Sequence, residues 1–224
     1  MSSEALNEME GRLPTKLPLF PLPGALLLPH GHLPLQIFEP RYLRMVEYAL
    51  SHTRTIGMIQ PLGDDPNKVA DNAEVYQVGC AGRIVEFSET DDDRFLITLR
   101  GICRFRIIEE MPLKQGFRRI VPDFGPFHMD LDESDEEDIF DRTEMLDAAN
   151  GYLRTKDLAV DWSAVETIPD DELVSALSMI CPFEPREKQA LLECRGCHDR
   201  SRMLMSLFEM ASHSGETHFR GTSH

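Results

Sequence analysis

Two cysteines and a histidine have the spacing of a known attachment or metal-binding pattern. Cys194, Cys197 and His198 form a CxxCH sequence, which matches a c-type haem attachment site. Together with Cys181 they also offer thiolate and imidazole ligands suited to tetrahedral zinc. Haem attachment requires an export route that we do not find, the chain has no second CxxC pair, and Gly196 suits a turn between helices. We therefore interpret this pattern as a loop and expect no cofactor.

A basic segment offers different chemistry. Residues 100–119 contain six cationic side chains and only two carboxylates, which gives a local net charge of +4. Arg104 and Arg106 lie two positions apart, so they share one face of a strand. The segment is a candidate anion or nucleic-acid surface; the alternative, which we favour, is a solvated face whose cations pair with nearby carboxylates. The chain carries a net charge of −16, which opposes nucleic-acid binding unless cations cluster strongly.

The motifs of several enzyme classes are absent from the sequence. No Lys is followed by Ser or Thr, which excludes a Walker phosphate loop, and there is no HExxH, GxSxG or GxGxxG. Gly79–Gly82 is only a GxxG fragment, which we interpret as a close-packing site or bend on a strand. His30 and His32 could offer two imidazoles to a metal, but a polar turn between strands is the simpler interpretation. We expect no enzymatic activity and no metal.

Composition predicts a folded protein without a membrane span. The chain has 224 residues, 42% apolar and 28% charged, which is ordinary for a globular protein. The most apolar stretch, 17–28, is interrupted by three prolines and a glycine, and residues 1–12 lack the basic and apolar regions of a secretory signal, so we expect none. Five scattered cysteines indicate reduced thiols. We expect a cytoplasmic protein.

The two halves of the chain predict different architectures. Seven of the 15 prolines lie between residues 14 and 40, among short apolar runs and alternating segments such as Arg94–Ile108, with Gly101 marking a bulge or bend. These segments predict about six short strands, a pattern typical of an antiparallel barrel or sandwich. One helix interrupts them, with Pro40 at its start and an apolar stripe of Tyr42, Met45, Val46, Ala49 and Leu50.

The second half predicts a bundle of about four helices, in Asp135–Lys156, from Thr167, from Glu184 to Leu192, and in Arg202–Ala211. Met129–Asp138 is an acidic run at the boundary between residues 1–128, with a net charge of −3, and residues 129–224, with a net charge of −13. We interpret the run as a solvated linker and an acidic first helical turn. The predicted limits are a flexible N-terminus (1–14), a β-rich part (15–128), a helical bundle (129–211) and a flexible tail (212–224).

Over about residues 15–211 the sequence resembles the N-terminal domain of Lon proteases. The resemblance rests on Leu17–Leu22 (LPLFPL), Pro23–Gly24, Leu33–Tyr42 (LPLQIFEPRY), Ile56–Ile59, Gly79–Ile84, Gly101–Ile107, Glu187–Glu193 and Arg202–Leu204. It implies a fold of class α+β: an N-terminal antiparallel β pseudo-barrel of PUA-like type with one inserted helix, followed by a C-terminal helical bundle. The chain looks like the stand-alone members of the family, which lack the ATPase and the Ser-Lys peptidase domains.

The resemblance also implies a function. In Lon proteases this module engages substrate proteins, so we expect a non-catalytic module that binds unfolded or exposed peptide segments, with a protease or chaperone as a further partner. The candidate binding residues are Phe38, Glu39, Arg41, Tyr42, Arg104 and Arg106. Scaffold roles are the alternative: Glu39 can cap the helix, Arg41 can pair with a carboxylate, and Tyr42 lies on the apolar stripe. RNA binding through residues 100–119 and a metal or redox role of the CxxCH turn remain alternatives; we expect a monomer or weak dimer.

Overall fold

The computed structural model describes residues 13–63, 73–131, 140–158 and 168–219. The chain divides into two compact units, of which the first comprises residues 1–134 with 183–192 and the second 135–182 with 193–224. In the described residues no helix combines the length and the apolar character needed to cross a bilayer. The predicted N-terminal segment 1–14 falls almost entirely outside the described residues.

Six strands, five α-helices and one 3-10 segment make up the described chain. The strands are β1 (Leu17–Pro21), β2 (His32–Ile37), β3 (Thr55–Ile59), β4 (Val78–Glu89), β5 (Phe95–Lys114) and β6 (Phe117–Asp123). The helices are α1 (Pro40–Leu50), α2 (Arg142–Thr155), α3 (Asp170–Ile180), α4 (Pro185–Glu193) and α5 (Cys197–Phe219), and the 3-10 segment is Gly125–Leu131.

The strands of the first unit form one sheet in the order β2-β5-β4-β3-β1-β6, and β6 also pairs with β5. Strands β5, β4, β3, β1 and β6 therefore close on themselves, while β2 pairs only with β5. The predicted fold class, a β-rich sheet structure followed by helices, is confirmed. One detail differs: β1 and β3 are parallel, so the sheet is mixed. The reason is that β2 and α1 lie between them and return the chain to the same end of the sheet.

Phe105 of β5 lies at the centre of a fully enclosed apolar core, packed with Leu17, Leu19, Ile59 and Ile120. The neighbouring strand leaves room for this ring because it has a glycine there. A Cβ on Gly79 would lie 2.5 Å from the Met58 carbonyl oxygen and 2.6 Å from Cζ of Phe105.

Helix α1 covers the opposite face of β1. The predicted stripe is confirmed at Tyr42, Met45, Val46 and Ala49, which are all buried. The rings of Tyr42 and Phe20 lie 4.4 Å apart. All five β1 residues are buried, because core side chains cover one face of the strand and α1 covers the other.

Helix α4 belongs to the first unit, although the sequence suggested a place in the helical bundle. The Lys188 Nζ donates to the Gly24 carbonyl oxygen at 2.8 Å, and the Gln189 Nε2 donates to the Val78 carbonyl oxygen at 3.1 Å. An amphipathic stripe shows that a helix buries one face but not which surface it packs on. The limits 15–128 and 129–211 stay a prediction.

The second unit contains α2, α3 and α5. Asp141 caps α2, its side chain accepting from the Glu144 backbone N–H at 3.1 Å, and the Tyr152 and Phe208 rings lie 5.5 Å apart. Helix α5 continues to Phe219, so residues 212–219 are helical, and the flexibility of the tail 212–224 stays a prediction. The loss of an apolar stripe does not itself stop the backbone hydrogen bonds of a helix. Residues 135–139 and 220–224, and Thr167, lie outside the described residues.

Candidate functional site

Strand β2 provides a free sheet edge. It pairs on one side with β5, from His32 opposite Arg100 to Ile37 opposite Phe95, and no described strand pairs with its other side. Pro34, in the middle of β2, has no N–H and is typical of edge strands. An edge of this kind offers unpaired backbone groups to an extended segment of another chain.

Exposed apolar side chains flank this edge. Phe38 directly follows β2 and is 62% exposed, and Leu96, opposite Gln36, is 43% exposed. Phe87 of β4 is not part of this surface, because it lies opposite Ile97 on the other face of the sheet, where it packs edge-to-face on Phe95 with ring centroids 5.1 Å apart. The free edge thus lies beside apolar surface that an incoming segment can cover.

Glu39, Arg41 and Tyr42, the other residues of the predicted Phe38–Tyr42 site, contact one another and have structural roles. Glu39 is the N-cap residue of α1, yet its side chain makes no cap hydrogen bond and instead accepts from the Arg41 Nε at 2.9 Å. The Arg41 guanidinium lies 4.6 Å from the ring centre of Tyr42, and Tyr42 is only 6% exposed. The structure therefore brings Glu39, Arg41 and Tyr42 together and leaves Phe38 as the exposed residue beside them.

Arg104 is not available to a ligand in this structure. It is 3% exposed, its Nη2 donates to the Asp130 Oδ1 at 2.7 Å, and its Nη1 donates to the Leu192 carbonyl oxygen at 3.0 Å. Although burial alone would lower the pKa of Arg104, its hydrogen bonds to Asp130 raise that pKa above the ordinary value. Asp130 was interpreted as part of a solvated acidic run, which is wrong at this position. Sequence reasoning missed the pair because the partners are 26 positions apart.

The rest of the predicted basic segment is largely paired. Arg118 donates to both carboxylate oxygens of Glu110, at 2.6 and 2.7 Å, and Lys114 Nζ lies 4.2 Å from the ring centre of Tyr48. Within the described residues, only Arg100 and Arg106 of the six cations are exposed and have no hydrogen bond or ion pair. Arg100 and Arg106 do not form the contiguous cationic surface that a polyphosphate needs.

A different pair of arginines is brought together by the strand register. Arg83 of β4 lies directly opposite Arg100 of β5, and His32 of β2 lies opposite Arg100 on the other side. All three side chains are exposed. We call His32, Arg100 and Arg83 the arginine row. Sequence reasoning missed Arg83, because only the pairing register of β4 and β5 places it there.

The cysteines form no metal site in the described residues, where no three His, Cys, Asp or Glu side chains cluster around a common point. Cys80, Cys103, Cys181 and Cys194 are buried, and Cys197 is partly exposed. Burial and the nearby Asp130 carboxylate raise the pKa of the Cys103 thiol to about 12. Burial also raises the pKa of Cys80 well above its ordinary value. These two thiols are protonated at neutral pH and therefore poor nucleophiles and metal ligands.

A shallow cleft of about 210 Å³ lies between the segment before β1 and the end of α1. Its walls include Lys16, Tyr48 and His52. The His52 Nδ1 lies 2.8 Å from both the Tyr48 carbonyl oxygen and the Ser51 hydroxyl, so the imidazole is held by its own helix end.

Comparison with known proteins gives consistent matches. The model of the ATP-dependent protease La (LON) substrate-binding domain matches residues 16–209. Lon protease 2 of Desulfotalea psychrophila is 23% identical over 201 residues, which are 85% of this chain and 24% of that protein. Lon protease 2 of Myxococcus xanthus is 28% identical over 98 residues, 43% of this chain and 12% of that protein. The chain thus spans a quarter or less of these relatives.

Two solved structures share the fold. A Lon N-terminal domain protein from Xanthomonas campestris superposes with a TM-score of 0.57 at 23% identity, covering 86% of this chain and 98% of that one. The N-terminal domain of the Mycobacterium avium complex Lon protease gives a TM-score of 0.58 at 13% identity, covering 87% and 98%. Because the family model matches most of the chain, the resemblance seen in the sequence is confirmed: this chain belongs to the LON substrate-binding domain family.

Proposed function

We propose that this chain is a recognition module that binds exposed, extended segments of other proteins along the free edge of β2. The observation that carries the proposal is an edge strand with exposed apolar side chains beside it, in a chain of the substrate-binding family. Backbone pairing along β2 supplies affinity, and contacts to Phe38 and Leu96 supply selectivity. The proposal assigns no bond-making step to the chain. Unfolded proteins, and a protease or chaperone that handles them, are the proposed partners.

Pro34 limits how much of the affinity comes from backbone pairing. It removes one donor from a six-residue strand, so the edge pairs with only a short segment. Prolines at an edge also protect a protein from pairing with copies of itself. Side-chain contacts next to the strand therefore carry more of the selectivity than they would beside a long uninterrupted edge.

RNA binding is the second function to consider, and the geometry disfavours it. Arg104 and Arg118 are paired with carboxylates, which leaves Arg100 and Arg106 as separate exposed cations of residues 100–119 rather than a groove. Neutralising several phosphates at once is the source of most nucleic-acid affinity. A salt titration with structured RNA should therefore show weak binding at every ionic strength.

A binding assay with matched variants tests the proposed function. Fluorescently labelled extended peptides, and unfolded model proteins, are titrated with the full chain and with the double variant Phe38→Ser/Leu96→Ser. We expect about a tenfold loss of affinity, close to 1.4 kcal/mol. Ile108→Ser is the control, since Ile108 is 64% exposed on the same unit but lies away from β2. An absence of binding at micromolar concentrations, or an equal loss in the control, would contradict the proposal.

A further inference from the structure

We infer that the β2 edge selects segments in which an acidic residue is separated by four positions from an apolar residue, with the arginine row receiving the carboxylate. The inference rests on the proposed function, since it assumes that an extended segment lies along β2. It adds a requirement for charge, which a merely apolar recognition surface does not have.

Two cations of the arginine row repel each other. Arg83 and Arg100 are direct neighbours across an antiparallel pair, where like charges are destabilising. Neither guanidinium pairs with a carboxylate in the described part of the chain, although 39 acidic residues are present in the sequence. A strand added beside β2 lies two strand spacings, about 10 Å, from β5 and three, about 14 Å, from β4, so Arg100 is the guanidinium that can reach its carboxylate, and neutralising Arg100 relieves the repulsion with Arg83. Guanidinium groups bind carboxylates with two parallel hydrogen bonds, which adds direction to the interaction.

A β-bulge in β4 places Glu86 on the same outer face as Arg83. The register of β4 against β5 shifts between Ile84 and Glu86, so Val85 has no partner. Ile84 points into the core and is 2% exposed. The bulge lets Arg83 and Glu86 share the outer face, opposite Arg100 and Thr98 respectively. The face therefore has separate rows of outward side chains, with the arginine row first.

The arginine row continues to the free edge of β2. His32 is the β2 member of the row, so a strand added beside β2 places one outward side chain in line with His32, Arg100 and Arg83. Gln36 and Leu96 form the outward row four residues along β2. At about 3.3 Å per residue, the two rows are roughly 13 Å apart. A segment with an acidic side chain level with His32 and an apolar side chain level with Gln36 therefore matches both rows.

A single carboxylate fits this face better than a polyphosphate. The row between the two contains Glu86, whose carboxylate accepts from the Thr98 hydroxyl at 2.6 Å. A polyphosphate that extends from the arginine row along this face would place a second phosphate next to the Glu86 carboxylate, and the two negative charges would repel each other. A peptide with one acidic residue and neutral neighbours avoids that repulsion.

Fluorescence anisotropy with designed twelve-residue peptides tests the inference. One peptide carries Asp and Leu four positions apart; matched peptides carry Asn for Asp, or the same residues three positions apart. Both chain directions are included, because the edge can accept either. We expect the Asp peptide to bind about tenfold more tightly than the Asn peptide, with a preference that shrinks as NaCl rises from 50 to 500 mM.

Variants of the chain test whether the arginine row causes the preference for the Asp peptide. In Arg83→Gln/Arg100→Gln the Asp and Asn peptides should bind equally, at the affinity of the Asn peptide for the unchanged chain. Arg106→Gln is the control, because Arg106 is also exposed and lies on the same strand outside the row. It should retain the tenfold preference.

The outcomes separate the two proposals. Equal binding of Asp and Asn peptides by the unchanged chain would overturn the acidic requirement and leave the proposed function standing. Failure of every peptide to bind would overturn both. Tighter binding of an oligonucleotide of equal charge, abolished by the double Gln variant, would show that the row recognises phosphate and would also overturn the inference.

Discussion

At the scale of single residues, removal of one partner from the buried ion pair between Arg104 and Asp130 should strongly destabilise the first unit. Two carboxylate oxygens of Asp130 receive the guanidinium and, at 2.9 Å, the Arg104 backbone N–H. Asp130→Asn leaves a buried cation without its counter-charge, so we expect a loss of about 3–5 kcal/mol in the free energy of unfolding. Urea denaturation measures it, and the exposed Glu109→Gln is the control. A loss below about 1 kcal/mol would show that the guanidinium finds another acceptor.

Because the pKa of the Cys103 thiol is raised, we expect the protein to lose stability in alkaline solution. Its pKa is about 12 in the folded protein, against 9.0 for an ordinary cysteine, because it is buried and faces Asp130. A raised pKa contributes stability that is complete below pH 9 and falls as the pH rises from 9 towards 12. The denaturation midpoint should therefore decline less steeply over this range in Cys103→Ala than in the unchanged chain. Cys197→Ala, at a partly exposed position, is the control; identical slopes in all three proteins would contradict the prediction.

At the scale of elements, the connection from β1 to β2 depends on a glycine in β5. The Gly101 N–H donates to the Gly31 carbonyl oxygen at 2.8 Å, and its own carbonyl oxygen accepts from the His30 N–H at 3.0 Å. A Cβ at this position would lie 1.9 Å from the Leu28 carbonyl oxygen. Gly101→Ala must displace the loop, and we expect it to cost about 2–4 kcal/mol.

Thermal unfolding of matched glycine variants tests this requirement. Gly151→Ala in α2 is the control, because nothing lies within 4 Å of the added methyl group. Alanine is favoured over glycine within a helix by about 1 kcal/mol, so the control should be neutral or slightly stabilising. If both variants melt at the temperature of the unchanged chain, the loop yields to the methyl group and the close approach has no structural importance.

The elements also show which features sequence reasoning can reach. The stripe of α1 was predictable because Tyr42, Met45 and Val46 follow a period set by the helix itself. The docking of α4 was not, because it depends on partners such as Gly24 and Lys188, 164 positions apart. The end of β5 was placed at Ile108 rather than Lys114, since the register shift between Ile107 and Glu109 ends the alternation on which the prediction relied. At the candidate site, Phe38 was accessible to reasoning and the arginine row was not.

At the scale of the whole molecule, the first unit is built from two separate stretches of the chain. The sheet and the 3-10 segment come from the first stretch, and α4 comes from residues 183–192. Arg104 spans both, since it bonds Asp130 from the first stretch and the Leu192 carbonyl oxygen from the second. A fragment that ends at residue 128 removes both partners and leaves a buried guanidinium unpaired.

Comparison of two fragments tests this dependence. Residues 1–128 should be unstable, with poorly protected backbone amides in hydrogen exchange, because Arg104 and the Gly24 carbonyl lose partners that no solvent-facing group replaces. Residues 1–134 joined by a flexible Gly/Ser linker to residues 183–193 should regain cooperative unfolding, since the linker restores the Asp130, Lys188 and Leu192 bonds. Asp130→Asn introduced into the joined fragment should abolish most of that gain. If residues 1–128 alone unfold as cooperatively as the joined fragment, the barrel is self-sufficient and α4 is an accessory to it.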